Sequence, residues 1–427
     1  MASTYLKKTF DGAEASTKGT FSFWVKRSKI GAEQYLYINS VYATSSATRG
    51  EIRFDGDDKL RVRSLNSGSA TNEKVTSMVF RDTNAWYHIV VSLDYTNASS
   101  SNYQKIYVNG NELTDFSTNS NTSTTNQFFQ GSDLNGQLIG KSNGSEYLDG
   151  CLSHYHCVVG TVYTPSTFGE TDSTTGEWKI KTNPGISTAN YGAAGFFVLK
   201  DGNSMTDQSG NGNNFTLGGG TLTNTEDCPS NVFATWNPLI DFRQPTPLLN
   251  GNTVIENGDA QWESGISTIA TPTTGKFYAE FKFPTFGGTA YGHTGIVDVE
   301  AISQRVSGYE NYGDPANSWS YSNNGEKVNN GSGSSYGNTY TSGDIIGIAI
   351  DCDNSKLYFS KNGTWQNSGD PTSGSTGTGA ISIASNKNYY LGTMVYNASV
   401  NANYGNGYFK TTAVSSAGTN ASGIGIF

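Results

Sequence analysis

Charge is scarce in this sequence. Asp, Glu, Lys and Arg make up 15% of its 427 residues, against about 25% in an ordinary globular chain. The charge that is there leans acidic, at a net −9, and no cluster of Lys or Arg interrupts it. Such a surface repels a phosphate backbone, which argues against a nucleic-acid partner. Long apolar runs are also missing. None approaches the ~20 residues of a membrane-spanning helix, so no membrane insertion is expected. The stretch from Met1 to Phe10 lacks the apolar centre of a signal peptide, so synthesis without Sec export is expected. Cysteine is rare, and Cys151, Cys157, Cys228 and Cys352 are too scattered to form a disulfide framework.

Glycine, by contrast, is abundant at 51 residues, alongside 25 Tyr and 21 Phe. Much of the remainder is Asn, Ser and Thr. Glycine costs a helix ~1 kcal/mol per position, and Ser, Asn and Thr compete with its backbone. Helical bundles, coiled coils and α/β folds with long crossover helices are therefore excluded. Aromatics at 12% give the chain something to bury, which excludes disorder. The mixture suits short strands joined by turns.

The strands are visible. In Thr20–Lys26, Phe21, Phe23 and Val25 alternate with Ser22, Trp24 and Lys26, as in a strand with one face in a core. Leu60–Arg63 repeats the pattern. Trp86–Leu93 is apolar on both faces, as a central strand is. Lys105–Val108 runs into Asn109-Gly110, a strong hairpin signal. Gln137–Gly140 and Tyr147–Leu152 follow. This order of Phe-Ser-Phe-Trp-Val, Trp-Tyr-His-Ile-Val-Val, Ile-Tyr-Val-Asn-Gly, Ile-Gly and Leu-Asp-Gly resembles laminin-G-like, concanavalin-A-like jelly rolls. The likeness covers about residues 1–170, with residues up to 230 as added strands.

Prolines then concentrate at Pro229, Pro238, Pro245 and Pro247. Proline interrupts strand ladders, so residues 231–249 are read as a linker. Beyond it, Gly343-Asp344-Ile345-Ile346-Gly347 opens an apolar strand. Cys352–Ser355 turns it, and Lys356–Ser360 returns to Lys361-Asn362-Gly363. This resembles the SPRY domain, whose closing strands are matched by Tyr389–Gly392 and Val400–Gly405. The expected fold is all-β: two concanavalin-A-like antiparallel β-sandwich (jelly-roll) domains in tandem, at 1–230 and 250–427, the second ending in a Gly/Ser-rich tail.

Catalytic constellations are absent from the sequence. Laminarinase-type glycosidases share the first fold and place paired carboxylates on one strand face, as retaining chemistry requires. The nearest match, Ile296-Val297-Asp298-Val299-Glu300, has Ile at the nucleophile position, and Asp298 and Glu300 read as solvated carboxylates. Cys151-Leu152-Ser153-His154-Tyr155-His156-Cys157 has metal-ligand residues. On a regular strand, however, its cysteines face one way and its histidines the other, so four ligands cannot converge. His154 and His156 then read as partly exposed, His88 as a packed core histidine, and His293 as part of a Gly-rich loop. No metal or other cofactor is expected, with one alternative. Jelly rolls of the resembled kind hold Ca²⁺ at a sheet rim, and Asp207 with Asn211, or Asp55, Asp57 and Asp58, could supply oxygens. Asx turns explain the same loops.

Tyr309, Tyr312, Trp319, Tyr321, Tyr336 and Tyr340 lie among Gly, Ser and Asn. Rings on a small polar scaffold make a ligand-binding loop. The same rings could fill the jelly-roll core, and both readings stay open here.

The whole tandem resembles structural proteins of tailed bacteriophages, of the marine type. That resemblance implies a non-enzymatic protein on the outer surface of a virion assembled in the host cytoplasm, as a head decoration or a tail or adsorption appendage. It implies other virion structural proteins and further copies of this chain, in a homo-oligomer, as partners, with host cell-surface polysaccharide as a candidate ligand. A receptor-binding, lectin-like tail fibre or tailspike is the alternative, and a glycan depolymerase a more distant one. The low charge fits a surface working by polar and aromatic contacts rather than salt bridges.

Overall fold

A computed structural model of the chain describes residues 3–9, 16–39, 48–129, 136–200, 204–240, 248–301, 313–415, 417–418 and 424–427. It divides into two compact units, Met1–Asn224 with Cys228–Val232, and Thr225–Asp227 with Phe233–Phe427. Both are antiparallel β-structures with their own cores. Among the described residues, no helix is long and apolar enough to cross a membrane.

The first unit is built from an eight-stranded and a six-stranded sheet. In the six-stranded sheet, Lys18–Arg27 lies between Gly150–Val159 and Trp86–Asp94. Its alternation works as expected. Phe21, Phe23 and Val25 are fully buried in the core, where they meet Ile89, Val91 and Leu93. The opposite face is not open to water either. Trp24 is 3% exposed and His88 0%. Residues beyond the Gly150–Val159 strand cross this face: Thr20 Oγ1 donates to Thr161 O at 3.0 Å and Ser92 Oγ to Tyr163 O at 2.7 Å. The hairpin Gly169–Thr171/Trp178–Ile180 packs there too, as its Trp178 hydrogen-bonds His88. Asn109 (φ 47°) and Gly110 (φ 83°) both adopt the left-handed conformation that a tight two-residue hairpin needs. They join Gln104–Val108 to Asn111–Glu112.

One expectation for this unit needs correcting. Gly150–Val159 is not a regular strand. Its register against Lys18–Arg27 shifts between Ser153 and His156, and His154 has φ 47°. The bulge reverses the parity, as bulges do. Cys157 enters the core while Cys151 pairs with Lys26, and His154 (9%) and His156 (2%) are buried rather than partly exposed. Thr216–Gly219 pairs with Tyr5–Lys8, and a Cβ on Gly218 would lie 2.1 Å from the Tyr5 ring.

In the second unit, two long strands organise the sheets. Lys276–Asp298 pairs with Ile345–Asp351 through its first half and with Trp319–Ser322 near its end. Tyr389–Asn403 follows it on the other side, with register shifts that bend the pair. Ile345–Asp351 and Lys356–Lys361 form the expected hairpin, and Asn362 (φ 48°) with Gly363 (φ 78°) makes the second Asn-Gly turn. The linker at 231–249 is a further correction. Trp236 is fully buried in the second core, and its backbone N–H donates to Asn252 O at 2.7 Å. Part of that segment is therefore integral to the second unit. His293 lies on the Lys276–Asp298 strand, not in a loop.

Candidate functional site

The expected ring segment turns largely inward. Tyr309 and Tyr312 lie outside the described residues. Tyr321 (0%), Tyr336 (7%) and Tyr340 (3%) are core residues, and Trp319 is half-buried against them. A tyrosine can be buried when its hydroxyl finds a partner, and these do. Tyr321 donates to Asn338 O, Tyr336 Oη accepts from Phe359 N, and Tyr340 Oη lies 2.7 Å from Gly292 O. For these three, core filling replaces the binding-loop reading.

The candidate ionic sites are also occupied by the protein itself. Asp207 Oδ1 accepts from Phe197 N and Ser209 N, and its Oδ2 from Ser209 Oγ and Asn213 N. Four donors fill the carboxylate's acceptor positions, while the Asn211 amide donates to Gly192 O and Gly195 O. Asp55 caps Asp57 N and Lys59 N, and Asp58 holds Arg27 and Arg81. Asp298 is not a solvated carboxylate. It is 2% exposed and pairs with Lys387 at 3.3 Å. Glu300 lies beyond the end of that strand, with its side chain 76% exposed. Among the described residues, no group of three His, Cys, Asp or Glu is placed to hold a metal ion.

Two other aromatic surfaces stand out. In the second unit, Trp262 and Tyr291 both lie directly opposite Tyr396, one from each neighbouring strand. The three rings therefore share one sheet face. Trp262 lies 5.8 Å from Tyr291, nearly parallel at 20°, and both tilt against Tyr396 at 5.4 and 5.9 Å. Tyr291 is 46% exposed. The cluster is thus an aromatic patch with an open side. No sequence motif marks it, because it forms only once the strand register is known.

The other surface is a cleft of about 530 Å³ in the first unit, lined by Trp24, Trp86 and Trp178 together with Asn and acidic side chains. His88 organises it. The ring stacks on Trp24 at 4.7 Å, and Trp178 Nε1–H donates to His88 Nδ1 at 2.9 Å. An indole N–H can only donate, so Nδ1 is the accepting nitrogen. Nε2 then carries the proton and donates to Ser22 Oγ at 2.9 Å. Burial lowers the His88 pKa to about 3, and a proton on Nδ1 would face the indole donor.

Profiles of known families match both units. Residues 3–158 match the laminin-G type of the concanavalin A-like lectin/glucanases superfamily, and residues 271–412 match the SPRY domain. The chain carries a concanavalin A-like domain and a SPRY domain in tandem. No curated protein matches it. Among solved structures, it is similar to the SPRY domain of human HERC1, at 15% identity and a TM-score of 0.29, over 39% of this chain and 96% of that one. A heptameric SAP-like pentraxin from Limulus polyphemus matches at 16% identity and 0.28, over 39% and 74%. A candidate carbohydrate binding protein from Bacteroides ovatus matches at 15% and 0.33, over 52% and 58%.

The His88 arrangement in the concanavalin A-like domain has a pH signature. The unfolded chain takes up this proton near pH 6.5, whereas the folded chain resists until about 3. Because the folded pKa is depressed, this stability is complete above about pH 6.5. It declines as pH falls towards 3, by about 1.4 kcal/mol per pH unit. Thermal melts between pH 7.5 and 5 are expected to show a flatter pH dependence in His88→Gln than in the wild type. Equal slopes would contradict the assignment.

Proposed function

We propose that the protein is a non-catalytic binding protein on the outer surface of a tailed-bacteriophage virion, as a head decoration or an adsorption appendage. The aromatic patch of Trp262, Tyr291 and Tyr396 on the SPRY domain carries the binding reading. Its rings offer contact area on a rigid sheet, so little side-chain entropy is lost on binding. The virion assignment rests on the likeness of the tandem to phage structural proteins. In this reading, several copies assemble with other virion proteins, and the patch meets host cell-surface polysaccharide. No cofactor takes part.

The test is binding of the full chain to polysaccharide from the host surface, in parallel with Tyr291→Ala and Trp262→Ala. Each variant is expected to bind about tenfold or more weakly while melting as a folded protein. Full-strength binding by both would remove the patch from the function. Release of reducing ends from the polysaccharide would replace the binding protein with a depolymerase. Absence of the chain from purified phage particles would refute the virion assignment.

A further inference from the structure

We infer that Asn330 is a site of spontaneous self-modification: of the described Asn-Gly pairs it is the first to cyclise and deamidate, which makes an edge hairpin of the SPRY domain age independently of any ligand. The chain has ten Asn-Gly pairs, and the asparagine of one, Asn135, lies outside the described residues. In such a pair the backbone nitrogen of the glycine attacks Cγ of the asparagine side chain. The new N–Cγ bond closes a succinimide ring. The Cγ–Nδ2 bond breaks, and ammonia leaves with the backbone proton. Water then opens the ring at either carbonyl, giving Asp or isoaspartate. Glycine has no Cβ to obstruct the attack. The rate in the folded chain is then set by how freely the two reacting groups can meet.

Three pairs form the same tight hairpin turn with different side-chain tethers. Asn109-Gly110 (φ 47° and 83°), Asn330-Gly331 (49° and 69°) and Asn362-Gly363 (48° and 78°) all have left-handed backbones. Asn109 Oδ1 accepts from His88 N at 2.8 Å. Asn362 Oδ1 accepts from Ile345 N at 2.8 Å, and its Nδ2 donates to Asp344 Oδ1 at 2.7 Å. Attack at either Cγ requires these bonds to break. Among the described residues, the exposed Asn330 side chain has no hydrogen-bond partner. The nucleophile beside it is also loosely held, since Gly331 N lies 3.4 Å from Gly313 O, long for a hydrogen bond. The strand after the turn, Ser332–Ser335, ends the sheet, pairs on one side with Glu326–Asn329 and is exposed throughout. Such a hairpin opens easily. Asn143 is the nearest rival, but its Oδ1 is buried and Gly144 N donates to Ser142 Oγ at 2.8 Å. The side-chain amides of Asn211, Asn250, Asn257, Asn324 and Asn406 are all hydrogen-bonded. Isoaspartate at 330 would add a backbone atom to a two-residue turn, which cannot take it without losing the register of Ser332–Ser335.

The experiment incubates the full chain, folded, in mildly alkaline buffer, beside a sample unfolded in urea. Peptide mapping by mass spectrometry follows each Asn-Gly pair over time, and isoaspartate methyltransferase labelling counts the isoaspartate. One tether is expected to slow the reaction about fivefold, from the net contribution of a typical hydrogen bond. In the folded chain Asn330 is therefore expected to react about fivefold faster than Asn109 and about tenfold or more faster than Asn362. Urea is expected to level the three. Asp344→Ala removes one tether of Asn362 and is expected to speed that site about fivefold, with Asn330 unchanged. Equal rates in the folded chain, or Asn109, Asn143 or Asn362 reacting first, would overturn the inference. So would a lead for Asn330 that persists undiminished in urea, because sequence rather than structure would then set it. An Asn362 rate unmoved by Asp344→Ala would overturn the tether as the cause.

Discussion

Trp236→Ala is expected to cost about 3–5 kcal/mol of folding stability, the range for truncating a buried tryptophan. The side chain is fully buried. Its ring stacks on Phe281 at 5.3 Å and 20°, and meets Tyr404 edge-on at the same distance. Gly265 marks how closely the opposite side is packed, since a Cβ there would lie 2.7 Å from the indole. The flanking backbone is stitched in as well: Asn237 N donates to Ile266 O at 2.7 Å. An alanine would leave a cavity that these fixed neighbours cannot close. A second variant separates packing from polarity. Among the described residues, Trp236 Nε1 is buried without a hydrogen-bond partner, and burying an unsatisfied donor is itself unfavourable. Trp236→Phe keeps most of the ring and removes that N–H, so it is expected to cost far less than alanine. Denaturant titration of the full chain measures both. A loss below about 1 kcal/mol for Trp236→Ala would show that the segment before the SPRY strands is dispensable.

The same residue shows where the sequence is legible and where it is not. Proline density around Pro229–Pro247 marked a boundary region, but spacing does not reveal that Trp236 fills a core built from strands far along the chain. Patterns of period two were readable: Phe21, Phe23 and Val25 point inward as their alternation requires. The Asn-Gly turns at 109–110 and 362–363 were readable because their chemistry selects one backbone conformation. The limits appear wherever a single local event changes the outcome. The bulge at His154 moves Cys157 to the core side, which a regular alternation cannot anticipate. Tyr321, Tyr336 and Tyr340 sit among small polar residues, yet they are buried because their hydroxyls find partners that only the folded chain supplies. The patch of Trp262, Tyr291 and Tyr396 and the docking of Trp178 on His88 depend on register and on long-range contact.

Scarce charge carries a further consequence, which Asp58→Asn tests. Some of the little charge present is committed to inward pairs. Glu51, with a fully buried side chain, meets Arg49, Arg53 and Arg63. Asp58 holds Arg27, whose side chain is fully buried over the Phe54 ring at 4.4 Å. Arg27 Nη2 lies 3.0 Å from Asp58 Oδ1, and Nη1 donates to Phe80 O at 2.6 Å. Asn keeps the size of Asp and tolerates the φ of 64° at this position. The substitution therefore removes the charge, sets an amide NH2 group against one of the donors that Asp58 accepts from, Gly31 N or Arg81 Nε, and leaves a buried guanidinium without its counter-ion. Breaking such a pair is expected to cost about 3–5 kcal/mol. The pH dependence follows. Burial pushes the Asp58 pKa up, but the Gly31 N–H, Arg81 and Arg27 outweigh it and hold the group below its ordinary 3.8. A depressed carboxylate stabilises the fold above the unfolded value and loses that contribution as pH falls below about 4. Asp58→Asn is thus expected to be strongly destabilised at pH 7 and to lose less than the wild type on further acidification. A variant within about 1 kcal/mol of the wild type at pH 7 would mean that the pair only offsets its own desolvation.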